Sequence, residues 1–289
     1  MPKIQYILYP SLILILLTFF ISIALSQVVT NNSNVNSSIT QPGRINESTS
    51  VSVIDMVGDI ECSDDLHDQV KMDNPSLFVA LGDLCYESDL DDFIDTYSDL
   101  KNADKLACLI GNHESEEDGN LEILNQTLEY CGDHWYRKIA NGTTLLIGLN
   151  TNGDTKLQTK WGQSLVTNST LMKGIKNVML LTHKPAHTPP ESYHPAENST
   201  IRMISGIESN ISKSIQVYEI AAHNHFMAAS SNGRWFISGG GEGGESHHEA
   251  STNSTWPFLN NEDYGYLQIR INNTDGKVLS TQFYGLDED

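Results

Sequence analysis

Hydrophobic positions along this chain fall into two arrangements. Between Tyr6 and Leu25 they form an almost unbroken run, and from Val51 onward they gather into short blocks, nearly all closed by Gly, Asn, Asp or His. The blocks VSVIDMVGDI, LFVALGDL, KLACLIGN, TLLIGLN, NVMLLTH, IQVYEIAAH, RWFISGG, YGYLQIRI and KVLSTQFYG are rich in Val, Ile, Leu and aromatics and predict β-strands. Between the early blocks, apolar residues recur at helical spacing. Leu90, Phe93, Ile94 and Tyr97 predict a helix within Ser88 to Leu100, and Leu121, Leu124 and Leu128 predict another within Asn120 to Tyr130. Later blocks follow one another with less room, so the expected core is α/β with an antiparallel-leaning second half. No internal repeat and no Pro/Gly-rich linker divides residues 51–289, which read as one domain.

The N-terminal run changes the picture of where that domain resides. Lys3 precedes it and Ala24-Leu25-Ser26 follows as a small-x-small pattern, so residues 1–26 read as a signal peptide or a retained transmembrane anchor. Either places the rest outside, because Lys3 is the only base before Arg44 and holds the N-terminus on the cytoplasmic side. The expected location is therefore extracellular, secreted or tethered at the cell surface. Residues 27–50 are polar and Asn/Ser/Thr-rich, as in a flexible stalk. Sequons begin at Asn31, Asn36, Asn46, Asn125, Asn141, Asn168, Asn198, Asn210, Asn253 and Asn272, consistent with a glycoprotein.

Composition narrows the partners. Of 289 residues, 39% are hydrophobic and 19% charged, enough apolar material for a packed core. A formal charge of −20 opposes binding of nucleic acid through its phosphates. Between Asp83 and Asp133 the only Lys or Arg residues are Lys101 and Lys105, so a phosphate bound there needs metal ions to offset the repulsion. Four cysteines, Cys62, Cys85, Cys108 and Cys131, permit disulfides in an exported chain. Spacing alone does not give their connectivity. If Cys62 and Cys85 follow adjacent strands they can bridge, leaving Cys108 with Cys131; free buried thiols are the alternative.

Candidate chemistry sits where the strand blocks end. Gly58-Asp59-Ile60-Glu61, Gly82-Asp83-Leu84-Cys85-Tyr86, Gly111-Asn112-His113-Glu114, Thr182-His183-Lys184-Pro185 and His223-Asn224-His225 each close a hydrophobic run. In open α/β sheets the carboxyl ends of strands face one crevice, so these side chains are expected to converge. Carboxylate, amide, phenol and imidazole are the donors that suit Fe, Mn and Zn, and one carboxylate can bridge two ions.

In this order the motifs resemble the calcineurin-like metallophosphoesterase superfamily, over roughly Val53 to Gly244. The Tyr86 of G-D-L-C-Y resembles the purple acid phosphatase branch. The resemblance implies a four-layer α/β/β/α sandwich with two mixed β-sheets and a hydrolase of phosphomonoesters, acting through a metal-bound hydroxide. A phosphodiesterase or nucleotidase with the same metal site, and a noncatalytic glycosylated surface protein, are the alternatives. It also implies two metal ions, Fe with Zn, Mn or Fe. Asp59, Asp83, Tyr86 and His225 would hold the first, and Asp83, Asn112, His183 and His223 the second, with Asp83 bridging. His113 is expected to act on the phosphate or the leaving group, with His187 and His194 of the following loop as further catalytic candidates. Glu61 stands where the superfamily has a His ligand. It reads as an extra ligand, a residue turned away or, preferably, an acceptor behind the ligands, the role also given to Glu114. Ala222 stands where Gly is usual, costly only if that position needs φ above zero. The run from Gly239 to Gly244 reads as a turn at the site's rim, with His247 and His248 as weak substrate-contact candidates.

Overall fold

The computed structural model describes residues 50–62, 64–86, 90–116, 119–241 and 248–286. The expected leader, nearly all of the stalk, and residues 242–247 with His247 lie outside them. Twelve strands form two sheets among the described residues. In the first, β1 (Val51–Val57) pairs in parallel with β2 (Leu77–Ala80), which pairs in parallel with β3 (Leu106–Cys108). On the other side of β1 lie β11 (Gly265–Asn272) and β12 (Val278–Gly285), both antiparallel to their neighbours. The second sheet runs β10 (Phe258–Asn260), β8 (Met227–Ala229), β9 (Trp235–Ser238), β7 (Gln216–Ala221), β6 (Asn177–Thr182), β5 (Thr144–Leu149), β4 (His134–Ile139).

The period-two alternation of side chains shows how the sheets stack. Ile54, Met56, Leu77 and Val79 share one buried cluster with Leu146, Met179, Leu181 and Ile220, so the sheets meet face to face. The opposite residues of the first sheet, Val57, Phe78, Ala80 and Cys108, pack with Leu66, Val70, Phe93, Tyr97 and Leu124. Those come from α1 (Asp64–Asp73), α2 (Leu90–Thr96), the junction after it, and α5 (Asn120–Thr127). Short helices α3 (Ser98–Asn102) and α4 (Asn112–Glu116) lie between. On the far side of the second sheet, Leu145, Ile147, Val178 and Leu180 pack with Val166, Met203, Ile204 and Ile207 of α6 (Thr155–Thr167) and α7 (Asn198–Glu208). The expected α/β/β/α layering follows from these three cores.

The second half leans antiparallel as expected: among the described residues β1–β11, β11–β12, β4–β5, β8–β9 and β8–β10 all pair that way. What the spacing did not predict is a parallel centre to the second sheet, where β5, β6, β7 and β9 are parallel neighbours and α6 and α7 supply two of the crossovers. Antiparallel pairing in the second sheet is confined to β4, β8 and β10. The expected helix over Ser88 to Leu100 is divided at Tyr97, although Leu90, Phe93, Tyr97 and Leu100 all stay buried. Two disulfides join Cys62 to Cys85 and Cys108 to Cys131, with Cα separations of 5.4 and 4.6 Å. The first ties the loops after β1 and β2. No helix among the described residues is long and apolar enough to cross a membrane.

Candidate metal centre

Each candidate ligand follows the carboxyl end of a strand, from both sheets: Asp59 after β1, Asp83 and Tyr86 after β2, Asn112 after β3, His183 after β6, His223 and His225 after β7. Cross-sheet bonds hold the ends together. The Gly58 N–H donates to Ser238 O at 2.9 Å, the His223 N–H to Asp59 Oδ2 at 2.7 Å, and His183 Nδ1 lies 3.0 Å from Leu81 O.

Three of the left-handed non-glycine residues lie at the same places, the others being elsewhere in the fold. Asp59, Asp83 and His223 adopt φ of 57°, 53° and 68°. Asp and His tolerate this left-handed region better than most residues, yet each such position still costs energy, and such costs cluster at functional sites. Ala222 is not among the left-handed residues, so the absent glycine carries no strain there. Its methyl is instead matched by Gly58, where an added Cβ would stand 2.5 Å from Ala222 Cβ. The glycines after β9 are likewise packing sites. A Cβ on Gly239 would stand 2.7 Å from Asp59 Oδ2, and Gly241 donates its N–H to Gly58 O, so the described part of the run abuts the Asp59 turn.

Asp83 is the centre of the constellation. The Tyr86 hydroxyl donates to Asp83 Oδ2 at 2.9 Å, and also lies 2.9 Å from His225 Nε2 and 3.5 Å from Asp59 Oδ1. On the other side, His183 Nε2 is 3.3 Å from the same Asp83 oxygen and 3.0 Å from Asn112 Oδ1. Ligand atoms of Asp83, His183 and His223 all lie within 4.8 Å of one another. The two sets therefore share one carboxylate oxygen.

Electrostatics show what this arrangement lacks. Asp59 and Asp83 are wholly buried and Glu114 is nearly so. Burial, and then the Asp83 charge, push Glu114 up; burial pushes Asp59 well above the usual carboxylate range. Burial also opposes ionisation of Asp83, but the His183 charge and hydrogen bond overcome it and hold this carboxyl below the usual range. Burial alone would lower His183, and the Asp83 charge and hydrogen bond instead raise it to about 9. Geometry agrees: Nδ1 faces a carbonyl and Nε2 faces carboxylate and amide oxygens, so both nitrogens donate. His223, buried and near the charges of His183 and His194, falls to about 2 and stays neutral. Burial and the charges of Asp59 and Asp83 push the Tyr86 phenol up. One imidazolium thus serves three buried carboxyl groups, and the donor set fits metal cations that would take over the charge held by that proton.

Other residues separate into three places. Glu114 accepts from the backbone N–H groups of Asp83 (3.0 Å), Gly111 (2.7 Å) and Leu84 (2.8 Å), and so holds the Asp83 turn from behind. Glu61 is exposed and makes no side-chain hydrogen bond to these ligands among the described residues, which corrects the preferred reading of it as an acceptor behind them. His113 donates its backbone N–H to Asp83 Oδ1 at 3.0 Å, and its half-exposed ring lies 4.4 Å from the Tyr86 ring, overhanging the site. His187 is engaged elsewhere: its Nδ1 is 2.5 Å from Glu219 Oε2 and its ring stacks on Trp235 at 3.8 Å, away from the ligand set. His194 does reach the site and stacks on His223 at 4.2 Å, while His248 stacks on His225 at 4.0 Å. Sequence reading missed Asn224, fully buried, whose amide exchanges two hydrogen bonds with the His194 backbone. It also missed Glu219, which accepts from the Ala186 and His187 N–H groups. Neither carries a signal in the sequence, since both roles come from side-chain bonds to a distant loop.

A profile of the calcineurin-like phosphoesterase family matches residues 54–225, the span from β1 to the last of these histidines. The chain belongs to the calcineurin-like phosphoesterase family. Among solved structures, one agrees at the level of fold and two others give lower scores. GAP50, the anchor in the inner membrane complex of Plasmodium, superposes with a TM-score of 0.55 at 12% identity, covering 83% of this chain and 90% of that one. A candidate 5′-nucleotidase from Staphylococcus aureus gives 0.49 at 12% identity, covering 83% of this chain and 55% of its own. TT1561 of Thermus thermophilus gives 0.46 at 11% identity, covering 82% and 100%. Comparison with curated proteins gives no match. Calcineurin-like phosphoesterases typically bind two metal ions, and the two donor sets that share Asp83 accord with that.

Proposed function

We propose that this protein is an exported, two-metal phosphomonoesterase of the acid phosphatase type. The observation that carries the reading is Asp83 Oδ2, which touches Tyr86 on one side and His183 on the other and so joins two complete donor sets. Bound there, two ions would generate a nucleophile from water and offset charge on the phosphoryl oxygens. The chain's own part is to hold Asp59, Asp83, Tyr86 and His225 about one ion and Asp83, Asn112, His183 and His223 about the other. His113 overhangs the pair, where its ring can bind the phosphoryl group or protonate the leaving oxygen. Two disulfides and ten sequons support an exported, glycosylated chain, secreted or retained by its N-terminal segment.

Metal analysis with hydrolysis of 4-nitrophenyl phosphate and its bis-ester tests the reading. About two metals per chain and faster monoester turnover are expected. Faster diester turnover would make the enzyme a phosphodiesterase, and absence of both metal and turnover would leave a noncatalytic surface protein.

His113→Ala is expected to lower kcat roughly 100-fold with metal content intact, because no ligand is removed. Loss of metal would show instead that His113 is a ligand.

Tyr86 separates an iron-phenolate centre from a colourless one. Its hydroxyl sits among Asp59, Asp83 and His225, and the competing oxygen donor, Glu61, is exposed. Protein produced with iron and gently oxidised is expected to be violet to pink from phenolate-to-Fe(III) charge transfer. Tyr86→Phe is expected to be folded and colourless, and a band that survives the substitution would remove Tyr86 from the ligand set.

A further inference from the structure

We propose that Tyr193 is a stacking platform for the planar aromatic leaving group of the phosphoester, a specificity site that rests on the phosphomonoesterase reading above. Tyr193 is 67% exposed, a large ring held out into water beside the site. It lies 4.7 Å from the His194 ring and 4.5 Å from the His248 ring. These rest on the candidate ligands His223 and His225 respectively, so Tyr193 is two ring contacts from both donor sets. A planar group tethered through oxygen to a phosphoryl at the metals would leave the site along this wall.

The platform is fixed in place by backbone bonds. The Tyr193 N–H donates to Glu249 O at 3.1 Å and the Ser251 N–H to Pro190 O at 2.8 Å, joining the two rim segments. Buried Asn224 clamps the His194 backbone from below, at 3.0 and 2.9 Å. These bonds fix the rim backbone, and the His194 and His248 rings are what hold the Tyr193 ring, which reduces the ordering that stacking on it would cost. The rim segment from His183 to Glu197 holds a single Lys or Arg, Lys184, and Glu197 neutralises it at 3.0 Å. What this rim offers a leaving group is therefore a π-face rather than a cation. Aryl and nucleoside leaving groups share the required chemistry.

The test is calorimetric binding of phenylphosphonate and methylphosphonate, which cannot be hydrolysed, to protein supplied with zinc. A second arm compares kcat/KM for adenosine 5′-phosphate and ribose 5-phosphate. Wild-type protein is expected to prefer the aromatic member of at least one pair by about tenfold, within the range known for stacking on an aromatic side chain. Tyr193→Phe should keep the preference and Tyr193→Ala should bring the ratio to about one. A preference confined to the first pair assigns an aryl group, and one confined to the second a nucleoside. Equal treatment of both pairs, or a preference that survives Tyr193→Ala, overturns the platform while leaving the phosphomonoesterase reading intact. Failure of both phosphonates to bind, with no turnover of either ester, overturns both.

Discussion

Asp83→Asn is expected to lower kcat roughly 1,000-fold or more and to reduce bound metal below two per chain. The argument is geometric before it is chemical. One oxygen, Asp83 Oδ2, lies against both the Tyr86 hydroxyl and His183 Nε2, and it is the only carboxylate atom with contacts in both donor sets among the described residues. Asp83 Oδ1 is occupied by the His113 N–H at 3.0 Å, so an amide in its place would keep that bond with its oxygen and turn its NH2 toward the metals. That NH2 supplies neither charge nor a lone pair to a shared position, and each ion would be held more loosely. A 1,000-fold loss corresponds to about 4 kcal/mol of transition-state stabilisation, the scale expected when metal-ion charge is lost from a phosphoryl group. Titration of metal into the variant, beside turnover of 4-nitrophenyl phosphate, measures both effects. Retention of more than about a tenth of wild-type kcat would remove Asp83 from the bridging role.

The site was legible in sequence for a physical reason that did not extend to the whole fold. Metal-type donors must stand at strand ends, and strand ends are marked by the stop from apolar to Gly, Asp, Asn or His, so Asp59, Asp83, Asn112, His183, His223 and His225 announce themselves in order. The cysteine pairs are the ones open to Cys62 and Cys85 if they follow adjacent strands, although spacing alone left both the connectivity and free thiols open. The missed elements lack that contrast. Helix α6 buries Gln158, Gly162 and Val166, a stripe with a single apolar side chain of any size, while Leu157 is left exposed. Gln158 is there for its amide, which exchanges bonds with the Asn150 backbone, and Gly162 for the close approach of Ile207. Strand β4 is an edge strand that buries Trp135 alone, and β8 and β10 span three residues each, too short for a period to show. Missing α6 and α7 is what hid the parallel run of β5, β6 and β7 at the centre of the second sheet. The role of Glu61 was misjudged because a position in a motif fixes the backbone and leaves the direction of an exposed side chain free.

Glu114→Ala is expected to lower the stability of the metal-free protein by about 4 kcal/mol, close to 10 °C in Tm for a domain of this size. Glu114 is buried and its two oxygens receive three backbone N–H groups, from Asp83, Leu84 and Gly111, which belong to the turns after β2 and β3. Alanine would leave all three donors inside the protein without an acceptor, each costing about 1–3 kcal/mol, offset in part by relief of repulsion between two buried carboxylates. That repulsion is real, since burial and the Asp83 charge together raise the Glu114 pKa. It is outweighed because the lost bonds are charge-assisted and nothing else in the pocket can replace them. Glu114→Gln should fall between: its oxygen can keep the paired Asp83 and Gly111 donors while its NH2 opposes the Leu84 N–H, at about half the cost. Because the freed turn carries Asp83, metal affinity should fall with stability in the same order, wild type above Gln above Ala. Thermal unfolding in chelator, followed by metal titration of each variant, reads both quantities. A Tm change under about 3 °C for Glu114→Ala would mean that the Asp83 turn holds its left-handed shape without this carboxylate, and that the strain at Asp83 is borne by the strand pairing of β1, β2 and β3 alone.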